Sequence, residues 1–227
     1  MVLPELVAFY KNNQKGEALE LWRKAARKVS VVLLPIGGVL FVIAPELMTL
    51  LYSSEYIESS RPLRIYLLLL PARLIFFGAI FQAAGRTDLI LKRAVGTLVL
   101  NTLVSYPLIY YFGIEGAAWG TVIVFWGYVI PYCIGYCSRL LEVRWFELMP
   151  YRQVGLMILM MIVAGVAATA LQQLLPFENT LIVAMTTTAM FLVFLGPPFF
   201  LLYRKDLKGY WHTVRHRLGG RGDRRAS

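Results

Sequence analysis

The sequence predicts an all-α integral membrane protein with six transmembrane helices and both termini in the cytoplasm. Three observations carry that expectation. Hydrophobic residues make up 58% of the 227 residues and charged residues only 16%, against roughly 25% charged in soluble domains. Six stretches are apolar over about 20 residues, the length that crosses a hydrocarbon core of about 30 Å. All but three of the 23 Lys and Arg residues fall in segments that a six-span chain puts on one face of the membrane. A soluble core of this size has no room for so much apolar sequence, and disorder needs the opposite composition.

The spans are read as 30–52, 65–84, 94–112, 116–138, 154–175 and 180–203. Helices are expected because barrel strands would be about 10 residues long with alternating polarity. The third span is the shortest and the most interrupted by polar residues. The connections 113–115 and 176–179 are short enough to demand tight helical hairpins. Basic residues then orient the chain. Lys11, Lys15, Arg23, Lys24, Arg27 and Lys28 precede the first span, Arg86, Lys92 and Arg93 follow the second, and Arg139, Arg144 and Arg152 follow the fourth. Eight more lie beyond residue 203, whereas the opposite face has only Arg61 and Arg64. The positive-inside rule makes the richer face cytoplasmic. The formal net charge of +10 therefore reads as attraction to anionic membrane lipid, not to nucleic acid.

Five segments follow: a cytoplasmic amphipathic linker (1–29), four helices of a transport bundle (30–138), a cytoplasmic loop (139–153), two further helices (154–203) and a basic cytoplasmic tail (204–227). In the linker, Leu19, Trp22 and Ala26 share a face flanked by basic residues, the pattern of a helix lying at lipid head groups. No apolar h-region or small-residue cleavage site occurs in it, so a signal peptide is not expected. The tail interleaves Tyr210, Trp211 and Leu218 with Arg and His, and 219–227 is expected to be disordered.

Polar residues at membrane depth carry the functional information. Arg73 sits near the middle of the second span, just after Pro71. A central arginine costs at least about 2.5–3.5 kcal/mol on insertion scales and normally faces a cavity or a partner. Two readings are open. Its planar fork suits a phosphate or carboxylate, or it bonds carbonyls freed by Pro71. Thr97, Asn101 and Ser105 recur every fourth residue and share one face, lining the same cavity or bonding neighbouring helices. Tyr66 is seven residues from Arg73 and is expected on its face, with Gln82 nearly opposite. Trp119, Trp126, Tyr128, Tyr132 and Tyr136 read as packing or interfacial aromatics, and Gly165 with Thr169 as a helix-packing pair.

Other chemistry finds little footing. Glu46 is read as snorkelling to the far surface, with a proton or ion site as the alternative. Cys133 and Cys137 make no disulfide framework, and no other ligands cluster with them for a metal. No nucleophile elbow, zinc-protease, Walker or dinucleotide motif occurs. Both histidines, His212 and His216, lie in the tail. No enzyme activity and no cofactor are expected, and movement of a substrate is the stronger class of function.

Several phrases coincide in order and spacing. Leu50-Leu51-Tyr52-Ser53-Ser54-Glu55-Tyr56 follows the first span, Ala83-Ala84-Gly85-Arg86 ends the second, and Gly113-Ile114-Glu115-Gly116-Ala117-Ala118 turns the third into the fourth. Leu3-Pro4-Glu5-Leu6 followed by Gly16-Glu17 precedes them. Together they resemble the C-terminal half of polysaccharide flippases of the multidrug/oligosaccharidyl-lipid/polysaccharide exporter superfamily. The resemblance covers about residues 1–145, and the last two spans only by hydropathy and position. It implies the last six helices of a fourteen-helix protein of the bacterial inner membrane. A partial chain is then expected: a fragment, a split protein whose N-terminal bundle is a separate chain, or a remnant. The implied substrate is a polyprenyl-pyrophosphate-linked glycan, flipped for O-antigen or other surface polysaccharide, with Arg73, Asn101 and Tyr66 as its binding residues. The alternatives are a cation-coupled multidrug exporter of the same superfamily and a non-transporting membrane interaction subunit.

Overall fold

The computed structural model describes residues 3–73, 77–149, 151–175 and 179–219, the last eighteen of these by their backbone alone. Among the described residues every regular element is helical. The expected hairpin at 176–179, the histidines and aromatics of the tail, and the expected disorder of 219–227 fall largely outside the described atoms.

Helix α1 (Leu3–Lys11) turns through Asn13, at φ 59°, into α2 (Lys15–Val42). The second half of the amphipathic linker and the first part of the apolar span are thus one helix of 28 residues. Nothing between Glu17 and Leu34 breaks helical hydrogen bonding, and Ser30 back-bonds to the Ala26 and Arg27 carbonyls at 2.8 and 3.0 Å. The first half buries Leu19 and Trp22 in the protein core, not at lipid head groups as expected, and the second half buries Val31, Leu34 and Val42. The helix stops at Ile43, and α3 (Ala44–Tyr52) starts on Pro45, whose fixed φ and missing N–H suit a first turn. The stretch read as one span, 30–52, is therefore divided.

The second expected span is bent. A 3₁₀ segment (Ser54–Ser59) leads into α4 (Ser60–Leu67), followed by α5 (Leu70–Arg73) and α6 (Phe77–Ala83). The two halves meet at 42° across Leu68–Leu69, where Pro71 withdraws a donor from the preceding turn. Neighbours satisfy the exposed carbonyls. Trp126 Nε1 donates to Leu68 O at 3.3 Å. Arg64 donates through Nε to Phe41 O at 2.9 Å and through Nη2 to Val42 O at 3.1 Å, capping the end of α2. Arg64, read as an outer-face loop charge, is thus a helical residue holding two elements together.

The third and fourth expected spans form a helical run from Thr87 to Leu141: α7 (Thr87–Val124), a π-helical turn (Phe125–Val129) and α8 (Ile130–Leu141). Only Gly113, at φ 58° and ψ −136°, leaves helical geometry within α7. The contacts show that the run folds back there. A Cβ on Gly120 would lie 2.9 Å from the Cα of Ser105, and one on Gly116 would strike the Leu108 carbonyl. Tyr128 covers Gly96, and Tyr132 donates to Leu89 O at 3.1 Å. Residues 105 and 120 would stand about 22 Å apart in a straight helix, so these are two antiparallel arms. The expected turn at 113–115 is reduced to Gly113.

Helices α9 (Tyr151–Gln172) and α10 (Thr180–Gly219) pair with each other, with Thr186 donating to Gln172 Oε1 at 2.9 Å. They pack on the second half of α2 through Val42, Ala164, Ala168 and Phe191. At one end of the molecule α1, the start of α2, α6 and α8 share a core containing Leu6, Trp22, Phe81 and Cys137. Lys15 pairs with Glu142 at 2.6 Å, and Arg23 donates to Leu148 O at 3.4 Å. The basic stretches on either side of the hairpin therefore gather at the same end. By length and composition four described helices are able to cross a membrane, or five counting the bent pair as one.

Two substitutions test these joints. Gly120→Val forces the arms apart at the Ser105 backbone and is expected to cost about 1–3 kcal/mol of stability, whereas Gly127→Ala, with open space around it, leaves the melting temperature in detergent unchanged. Arg64→Met leaves the Phe41 and Val42 carbonyls without their donor, a loss of about 1.5–3 kcal/mol, read as faster amide exchange in the last turn of α2 and a lower melting temperature.

Candidate functional site

A cavity of about 910 Å³ opens between the inner half of the bent span and the hairpin. The outgoing arm contributes Arg93, Thr97, Asn101 and Ser105 to its wall, α5 contributes Arg73, and the return arm contributes Phe125, Val129 and Ile130. These four residues recur every fourth position, so one helix face presents all of them, and Thr102 adds a further hydroxyl beside Asn101. The structure thus unites Arg73 with the Thr97–Asn101–Ser105 stripe. Ser105 Oγ donates to Asn101 Oδ1 at 2.6 Å and Thr97 Oγ1 to Arg93 O at 2.7 Å. Asn101 therefore spends its acceptor on its own helix, and its amide NH₂ remains as a donor for the cavity.

Arg73 ends α5, and its Cζ lies 5.8 Å from the centroid of Phe125. An aromatic face at that distance attracts the guanidinium without consuming its N–H donors. Among the described residues no carboxylate pairs with Arg73, and its guanidinium donates to no backbone carbonyl. The carbonyl at the break, Leu68 O, is taken by Trp126. Among the described residues the carbonyl-bonding reading of Arg73 is therefore not realised. Phe125 opens the π-helical turn, an irregularity common at functional sites because it re-aims side chains within a helix.

Tyr66 does not join them. It lies on α4, beyond the break, and is 45% exposed outside the cavity wall. Its seven-residue spacing from Arg73 would align the two only along an unbroken helix. Gln82 is exposed and also outside the wall. One oxygen of Glu46, in the first turn of α3, is buried without a hydrogen-bond partner among the described residues, unlike the snorkelling carboxylate expected there. Trp119 is 41% exposed. Tyr128, Tyr132 and Tyr136 stack in succession with centroids 5.7 and 4.6 Å apart, a packing role. Cys133 and Cys137 are free and buried.

Sequence reasoning missed Arg93 by grouping it with the basic end of the molecule. The signal was present, since Arg93 is four residues before Thr97 and in register with the stripe. Its Nη1 donates to Cys133 Sγ at 3.6 Å, a weak acceptor. A second cavity, about 640 Å³ and mainly apolar, lies between α2, α4, the return arm and α9. Arg64 is the charged residue of its described wall, and its guanidinium is committed to carbonyls. Compared with known proteins, the chain matches no family model, no curated protein and no solved structure.

Proposed function

We propose that the chain takes part in flipping a lipid-linked oligosaccharide across the bacterial inner membrane for surface polysaccharide synthesis. The observation that carries this reading is the joining of Arg73 and Asn101 in one cavity that has no carboxylate in its described wall. A cationic, amide-bearing wall at membrane depth suits the pyrophosphate and sugar hydroxyls of a polyprenyl-pyrophosphate-linked glycan, the substrate implied by the resemblance. Arg73 holds the pyrophosphate, and Asn101 donates to phosphate or sugar. Tyr66 contacts only a part of the substrate outside this cavity.

In this proposal the chain crosses the membrane six times with both termini cytoplasmic. The fold-back at Gly113 supports two crossings within 87–141, since residues 87–112 alone extend about 39 Å at 1.5 Å per residue. The gathering of basic stretches at one end supports the orientation. The cavity is open on one side, and a second bundle, in the same or another chain, supplies the facing wall in an alternating-access cycle. A cation-coupled exporter is the second reading, favoured by the buried and unpartnered oxygen of Glu46.

Arg73→Ala is expected to abolish surface polysaccharide while leaving the protein's abundance in the membrane unchanged, and Arg73→Lys to retain partial export because it keeps charge without the fork. Glycan staining of whole cells with parallel immunoblots is the measurement. Normal export with Arg73→Ala sinks the flippase reading. Export lost on Glu46→Gln but kept on Arg73→Ala favours the cation-coupled one.

A further inference from the structure

We propose that one anionic lipid docks its head group at the basic end of the molecule, with the phosphate on Arg27 and a head-group hydroxyl on Gln153. The proposal is independent of the flippase reading and lies outside both cavities. Arg27 Nε and Gln153 Oε1 are each buried without a hydrogen-bond partner among the described residues. Buried polar atoms are nearly always bonded, so two orphans at one interface call for a common explanation. The packing of α2 on α9 brings them to that interface. Leu34 packs with Met157, a Cβ on Gly38 would meet Met161, and one on Gly165 would meet Val42. These pairs advance together by four residues, so the two helices run parallel in one register. Carried one turn back, the register sets Gln153 level with the buried Ser30. Arg27 lies three residues nearer the basic end, about 4.5 Å along the axis, a distance its side chain can reach.

The chemistry of the two orphans selects the head group. Arg27 Nε needs an acceptor and Gln153 Oε1 needs a donor. A glycerol phosphodiester supplies the first through its phosphate and the second through its hydroxyls, and a guanidinium fork matches phosphate oxygens. The surroundings suit a bilayer interface better than a soluble phosphate. Arg23, one turn before Arg27, donates to Leu148 O at 3.4 Å and so holds residues 143–149 against this face of α2. That loop leaves Trp145 64% and Phe146 48% exposed. Tyr151 donates to Trp145 O at 3.0 Å, and Arg144 Cζ stands 5.8 Å from the Phe146 centroid. Exposed aromatic rings edged by arginines are the composition of a surface at the membrane–water boundary. Leu19 and Trp22 are spent on the core, so this loop, not the linker, is the part that meets lipid.

The test uses the purified 227-residue chain in detergent, with affinities followed by nuclear magnetic resonance. The probes are short-chain phosphatidylglycerol, phosphatidylcholine, phosphatidylmethanol (the same charge without the hydroxyls) and free glycerol phosphate. Wild type is expected to bind phosphatidylglycerol about tenfold more tightly than phosphatidylcholine and about threefold more tightly than phosphatidylmethanol. Arg27→Gln brings phosphatidylglycerol and phosphatidylcholine within about twofold of each other, while Arg27→Lys keeps part of the difference. Gln153→Leu erases the preference over phosphatidylmethanol and leaves the charge preference in place. Lys24→Gln, on the same helix, shifts neither ratio by more than about twofold. The inference is overturned if wild type does not distinguish phosphatidylglycerol from phosphatidylcholine, if that preference survives Arg27→Gln, or if Lys24→Gln costs as much, which makes the attraction diffuse. Equal affinity for phosphatidylglycerol and phosphatidylmethanol overturns the hydroxyl contact. Free glycerol phosphate binding as tightly as phosphatidylglycerol makes the site one for a soluble anion and overturns the lipid. A tenfold gain (about 1.4 kcal/mol) on Asp206→Asn makes that carboxylate the occupant and overturns the inference as well.

Discussion

In hydrocarbon, every backbone polar group must find its partner within the protein, and the whole fold is arranged around meeting that demand wherever a helix is interrupted. The chain is interrupted at Ile43, at Leu68–Leu69 and at Gly113. At the first, Arg64 closes the last carbonyls of α2; at the second, Trp126 reaches across from the hairpin to Leu68. Each repair is made by a side chain from another element, so the breaks that loosen individual helices are also what tie the helices to one another. The hairpin solves the third by reversing at a glycine and bringing the arms close enough for Gly116 and Gly120 to lie directly on Leu108 and Ser105. Small residues at such crossings allow dispersion contacts where no hydrophobic drive between helices exists.

The same demand separates the arginines by role. Arg64 is occupied by two carbonyls and belongs to the scaffold. Arg73 rests against an aromatic face, and Arg93 against a sulfur. Neither support saturates the five N–H donors of a guanidinium. One arginine thus ties two helices together through carbonyls, while two others stand in the wall of a shared cavity with donors to spare.

Much of this was legible in the sequence, and the parts that were not have identifiable causes. Hydropathy located the apolar helices because bilayer thickness sets their length. The four-residue spacing of Thr97, Asn101 and Ser105 placed them on one face correctly, since no proline or non-helical residue falls between Thr97 and Ser105. The same logic failed for Tyr66, because Pro71 weakens the turn between it and Arg73 and helical phase is lost across the bend. Proline signals a disturbance without giving its angle. The fusion of the linker with the first span went unseen because charge distribution, not a helix-breaking residue, had suggested the boundary near Val29. Arg64 was misjudged for a different reason: counting charges assigns a side of the membrane, but only the tertiary fold supplies the carbonyls of α2. Arg93 was hidden by its company, a basic residue among basic residues whose phase matched the polar stripe.

The π-helical turn at Phe125–Val129 has a mechanical consequence. Phe125 belongs to the wall of the polar cavity and Trp126, its neighbour, to the wall of the apolar one. A single turn of backbone is therefore a partition with a ring on either side. Rolling the return arm about its axis carries both rings together, advancing one into its chamber as the other withdraws. The two cavities share that wall, so a change in the set of the turn is felt on both sides of it.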